Sequence, residues 1–182
     1  MPAPYHGYVD ESIRGSIYMM GCARVCADDV SQLRRTVHGL REARTRRMHF
    51  NNERAAARKP ILDALVDSGL ISYLVVTAKV EGRDGDQVAR DRCLTELVAT
   101  CIDRSVTRLV IESREGQDHR DRRTIARAVG RQRSLEFDHL PGPSEACLWV
   151  PDALTWAYGR GGTWRSVVQP LVIHERALGP PP

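Results

Sequence analysis

Apolar positions along the chain fall into short runs divided by polar turns, and their spacing alternates between that of a strand and that of a helix. Residues 5–9, "YHGYV", and 16–26, "SIYMMGCARVC", read as two strands joined by a polar turn containing Gly15. So short a connection between apolar runs predicts an antiparallel hairpin. Asp28 or Asp29 can then cap a helix whose apolar positions Val30, Leu33, Val37 and Leu40 keep helical spacing. "RRMHF" has the look of a short third strand, and Asn51 or Asn52 can cap the helical stretch "ERAAARKPILDALVDSG". Pro60 within it predicts a kink, or a second helix carrying Pro60 in its first turn. "LISYLVVTAKV" is the best strand candidate in the chain, rich in β-branched and aromatic residues.

A helix over 86–103 follows, with Leu94, Leu97, Val98, Cys101 and Ile102 on its apolar face. "TRLVIES" is a short, continuously apolar strand of the kind buried in the middle of a sheet. Residues 118–129 read as a basic helix closed by Gly130, "SLEFDHL" as another strand, and "PDALTWAYGR" as a helix with Pro151 in its first turn. After Gly161 and Gly162 the pattern fades. Opening antiparallel strands followed by strands alternating with helices imply an α/β fold, a mixed sheet covered by helices on both faces. With no repeats and no internal linker, the expected organisation is one domain over 1–160 and a C-terminal extension, 161–182, ending in a flexible Pro-rich tail.

The 182 residues, 42% of them hydrophobic and 27% charged, suffice for a buried core without staples. No apolar run approaches the roughly 20 residues of a membrane span, and the first residues lack a basic stretch leading into an apolar core. The five cysteines form no CxxC pair and no zinc-type spacing with histidine. A cytoplasmic protein with reduced, buried cysteines is therefore expected. Charge changes the picture more. Apart from Lys59 and Lys79 every basic side chain is Arg, and two stretches concentrate them: residues 31–60, and Arg120 to Arg133. Arg forks match phosphate geometry, so these clusters suit a polyanionic partner, although a solvated helix face explains any one of them equally well.

Three acids occupy related positions. Asp10 ends the first strand, Glu112 ends "RLVIE", and Asp152 lies in the first turn of the late helix. If the two strands are parallel, their C-terminal ends share the sheet edge outside which α/β folds bind ligands. Carboxylates crowded there repel, and a hard divalent cation, Mg²⁺ or Mn²⁺, relieves the repulsion. Two such ions about 4 Å apart would serve phosphodiester cleavage. Each acid also has a plainer explanation: Asp10 as a turn former, Asp152 as a partner of the helix dipole, Glu112 as a solvated loop residue.

The motifs "YVDES", "LVIESREG" and "LWVPDALTWAYGR" resemble the domain of unknown function 3800 family across roughly residues 5–160. The resemblance implies an RNase H-like fold and metal-dependent nuclease chemistry. It makes Asp10 the bridging metal ligand, Glu112 and Asp152 its partners, and Glu53, on the helix after "MHFNN", the helix-borne acid of such sites. Glu11 would be a bystander, its side chain on the opposite face of the strand. The chain departs from the family in lacking Gly directly after Ser12, in having Glu rather than Asp at 112, and in placing Pro151 before the helix acid.

Arg114, two residues past Glu112, is a candidate for holding a scissile phosphate, or for neutralising the acids without metal. His119 is a candidate proton donor or phosphate contact, and Arg46, Arg47, Arg54 and Arg58 are the expected backbone contacts. Motifs for nucleotide-triphosphate, dinucleotide and serine-hydrolase sites are absent from the sequence. The expectation is a nuclease acting on DNA or RNA, with a homodimer left open. The alternative is a catalytically inactive domain of the same fold that binds nucleic acid or a protein.

Overall fold

Alternation of side chains across the pleat decides the layers of this protein, whose computed structural model describes residues 3–42, 45–131 and 135–180. Strands β1 (Tyr5–Arg14), β2 (Ile17–Cys26) and β3 (Ile71–Lys79) form an antiparallel meander; β4 (Val106–Glu112) joins β1 in parallel, β5 (Glu136–Leu140) joins β4 in parallel, and β6 (Val172–Ala177) joins β3 in parallel. The sheet order is β5-β4-β1-β2-β3-β6. Neighbours in sequence point to opposite faces. Tyr8, Met19, Tyr73, Val75 and Val110 enter one core with helices α1 (Val30–Leu40), α2 (Ala55–Asp67), α5 (Trp149–Arg160) and α6 (Gly162–Val168). Val9, Met20, Leu74, Val76 and Ile111 enter the other, with α3 (Gly85–Asp103) and α4 (Asp118–Val129). The expected mixed α/β sheet with helices on both faces is the observed one.

Several local expectations are corrected. β1 does not end at Val9: the ladder continues through Asp10↔Gly21 and Glu11↔Met20 to Arg14↔Ile17, so the two acids lie inside a strand and the turn is Gly15–Ser16. "RRMHF" is not a strand. Met48 and Phe50 are wholly buried plugs in the α5-side core, and the chain coils once as a 3-10 turn at Phe50–Asn52. That turn delays α2 to Ala55 and puts Pro60 in the second turn of one helix.

The faded segment after Gly161 contains α6 and β6, so the boundary expected at 160 does not separate an extension from the sheet. Arg44 and Arg133 of the basic clusters, the first residue of "SLEFDHL" and the last two prolines lie outside the described residues. Among the described residues, no helix is long and apolar enough to cross a membrane.

Candidate active site

Register brings the strand acids together. Val9 pairs with Ile111 in the parallel β1–β4 ladder, so Asp10 and Glu112 follow as lateral neighbours. Sharing parity with Tyr8 and Val110, they face α5, whose first turn contributes Asp152. A polar cleft of about 370 Å³ opens there, with Asp10, Glu112 and Asp152 in its floor and Arg14, Arg47 and Arg114 on its walls.

The acids differ in how their charge is met. Glu112 receives a two-pronged ion pair from Arg47, with Nη1–Oε1 2.6 Å and Nη2–Oε2 3.4 Å. Gly142 makes room for it: a Cβ there would lie 2.5 Å from Glu112 Oε1. Asp152 Oδ2 accepts the Phe50 N–H at 2.9 Å and lies 3.3 Å from His49 Nδ1. Burial nevertheless pushes its carboxyl up, and the charge of Glu112 adds to that; the Phe50 N–H, His49 and Arg47 offset it only in part. Asp10 is 6% exposed, and among the described residues no Arg, Lys or His pairs with it. Its carboxyl is held well above the usual carboxylate range, first by burial, then by Glu11, Asp152 and Glu112.

Gly21, opposite Asp10, is there for space. A Cβ would collide with the hydroxyls of Tyr73 and Thr155, which hydrogen-bond each other at 2.8 Å. Burial, with a contribution from the charge of Asp10, keeps the Tyr73 phenol protonated. Gly21→Ala is expected to cost about 1–3 kcal/mol by overpacking. A melting temperature equal to wild type would show that the hydroxyl pair yields freely.

Glu11 faces away from Asp10, as expected, and is engaged on that other face. On the α3 side its Oε1 lies 2.5 Å from Arg90 Nη1 and 2.7 Å from Arg114 Nη1. Arg90 also grips Asp121 through Nε (3.0 Å) and Nη2 (2.6 Å) and donates to the Tyr18 hydroxyl at 2.9 Å. Burial alone would weaken the hold of Arg90 on its proton, but Asp121 and Glu11 outweigh it. A buried charged network thus lies behind the cleft, joining β1, β2, α3 and α4.

The other expected residues scatter. Arg114 reaches the cleft but is committed to Glu11. Glu53 closes the 3-10 turn ahead of α2 rather than riding on that helix. It lines a neighbouring depression with Glu42 and Arg54, sharing with the cleft only the wall of Arg47 and His49. Arg54 pairs with Glu42 at 2.7 Å. Arg58 stacks 4.7 Å over Trp156 and donates to the Asn51 carbonyl at 2.8 Å, so it clamps the 3-10 turn. Arg46 and His119 are exposed and line neither the cleft nor the depression. Sequence reasoning missed Arg14, which lines the cleft 5.5 Å from the Trp156 ring with its Nε buried and without a hydrogen bond. Desolvation, then Arg160, lowers its pKa.

Among the described residues, no three acidic, histidine or cysteine side chains stand so that they could hold a metal ion. Arg47 occupies the carboxylate of Glu112, Glu11 is turned to the other face, and His49 lies beside Asp152.

Several solved ribonucleases share this architecture. Ribonuclease H2 from Pyrococcus horikoshii OT3 superposes with a TM-score of 0.53 at 14% identity, over 92% of this chain and 75% of that one. The fold is RNase H-like. RNase HII from Archaeoglobus fulgidus, solved in complex with PCNA, gives 0.56 at 14% identity over 85% and 72% of the two chains. Bst-RNase HIII, solved with Mn²⁺, gives 0.52 at 12% identity over 85% of this chain and 51% of that one. No protein-family model and no curated relative matches the chain.

Proposed function

We propose that this RNase H-like chain is a nucleic-acid-cleaving hydrolase dependent on Mg²⁺ or Mn²⁺, of the domain of unknown function 3800 type that its motifs resemble. The observation that carries the reading is Asp10, a buried carboxylate on β1 beside the C-terminal end of β4, repelled by three others and met by no cation among the described residues. Such crowding costs stability unless a cation or a proton relieves it. The ribonuclease neighbours, one of them a Mn²⁺ complex, support the substrate class and the choice of ion.

Asp10 and Asp152 offer oxygen donors only, which suit hard cations. A divalent ion bound there would supply water activation and charge neutralisation. Glu112 joins them on this reading only by releasing Arg47. Arg14 at the cleft wall is suited to hold the phosphate, and Arg114 joins it on this reading only by loosening its pair with Glu11.

A second reading has its own support. Glu112 and Glu11 are already neutralised by guanidinium groups, as in a site that has exchanged metal for arginine and only binds nucleic acid. Two measurements separate the readings. Labelled DNA, RNA and hybrid substrates should be cut only with Mg²⁺ or Mn²⁺. MnCl₂ should raise the melting temperature, and more so in Arg47→Gln, which frees Glu112. Absence of metal-dependent cleavage on every substrate by folded protein would leave the binding reading.

A further inference from the structure

A second basic surface lies outside the cleft, in a groove of about 450 Å³ between α3 and α4 lined by Asp91, Thr95, Arg120, Arg123, Thr124 and Arg127. We infer that this groove is a phosphate-backbone track, carrying a nucleic-acid strand away from the cleft along α4. The inference rests on the nucleic-acid part of the function proposed above, and not on cleavage.

Charge bookkeeping on α4 is the first support. Its two acids are used internally. Asp121 is fully buried against Arg90. Asp118 accepts the Ser113 hydroxyl at 2.6 Å and the Arg114 N–H at 2.9 Å. The exposed Arg120, Arg122, Arg123 and Arg127 therefore outnumber the acids that face them, Asp91 beside Arg120 and Asp118 near Arg122. Asp91 is the acid in the groove, and it lies 3.5 Å from Arg120 Nε. Among the described residues no carboxylate pairs with Arg123 or Arg127.

Geometry is the second support. Arg120, Arg123 and Arg127 share one helix face, about 4.5 and 6 Å apart along the axis. Thr95 and Thr124 line the groove between them, the Thr95 hydroxyl donating to the Asp91 carbonyl at 2.7 Å. Arg114, which lines the cleft, donates its N–H to Asp118 in the first turn of α4, so the loop beside the cleft leads into the helix that carries the groove arginines. The 12 residues of α4 span about 18 Å, the rise of about five nucleotides of one strand.

The test measures binding of labelled single-stranded and duplex oligonucleotides of about 20 nucleotides across a salt series. Arg123→Gln/Arg127→Gln is compared with wild type and with a control pair, Arg35→Gln/Arg83→Gln, whose side chains are exposed elsewhere. Because both groove side chains are exposed, the variant should melt with wild type. Its salt slope should fall in magnitude by about 1.8 on duplex and about 1.4 on single strands, with affinity about 10- to 100-fold weaker at low salt.

An unchanged slope in the groove variant, or an equal loss in the control pair, would overturn the track. So would failure of wild type to bind either oligonucleotide, or preferential groove-dependent binding of poly-glutamate, which would make the partner an acidic protein. An Arg-dependent slope in a protein that cuts nothing would keep the track and remove the nuclease. Cleavage with an unchanged slope would do the reverse.

Discussion

Arg90→Met should destabilise the fold by about 3–5 kcal/mol, a large fraction of the roughly 5–15 kcal/mol available to a domain. The reason is not the loss of a favourable ion pair as such. Asp121 has no exposed surface, and its two closest charged hydrogen bonds come from Arg90, with His139 Nε2 more distant at 3.4 Å. Removing the guanidinium leaves that carboxylate buried, and among the described residues Glu11 then pairs with Arg114 alone. Urea unfolding of the single variant, set beside Arg90→Met/Asp121→Leu, separates the effects. The double variant should recover much of the loss, because it removes the orphaned charge as well as its partner. A single variant within about 0.5 kcal/mol of wild type would mean that the network contributes nothing to stability.

Asp10→Asn is expected to move activity and stability in opposite directions. Cleavage should fall by at least about 100-fold, the scale on which loss of one group that meets reacting charge is felt. The fold should gain. Asp10 has a folded pKa raised above its unfolded value, so the stability conferred by its neutral form is complete below about pH 3.9 and is lost as pH rises through the folded value. Asparagine never ionises, so the variant should melt above wild type near neutral pH without metal, by roughly 2–4 °C for each kcal/mol of repulsion removed. The gap should close in acid. A variant that melts below wild type at neutral pH, or a gap that persists in acid, would show that Asp10 is not strained by its neighbours.

The sequence announced elements better than it announced what polar residues do inside them. α4 was legible to its ends because an apolar stripe, a basic face and Gly130 all agree. The end of β1 was not. Asp10, Glu11 and Ser12 are polar, and polarity in a short run imitates a turn, whereas here the ladder continues and the acids are strand residues turned to opposite faces. Met48 and Phe50 imitated a strand because two buried residues spaced by two satisfy the same pattern whether the backbone is paired or coiled.

The three-acid convergence was readable on the condition that β1 and β4 run parallel, which the ladder supplies; the position of Asp152 at a helix start follows from pattern. The counter-ions were not. Arg47 stands 65 residues from Glu112 in sequence, and no local spacing connects them. Arg90 did leave a trace: it lies in phase with Cys93, Leu94 and Leu97 on the buried face of α3, where a charge has to find a partner.

The late arrival of β6 has a consequence for how this protein is made and handled. The outer edge of β3 is completed only by residues 172–177, the last regular element. Until that segment docks, β3 offers unpaired N–H and C=O groups beside a run that includes Leu74, Val75 and Val76, all inaccessible in the finished fold. An open apolar edge of that kind is a template for another chain. A fragment cut after α5 would keep every acid of the cleft and still be prone to self-association, so its inactivity would say nothing about the chemistry of Asp10.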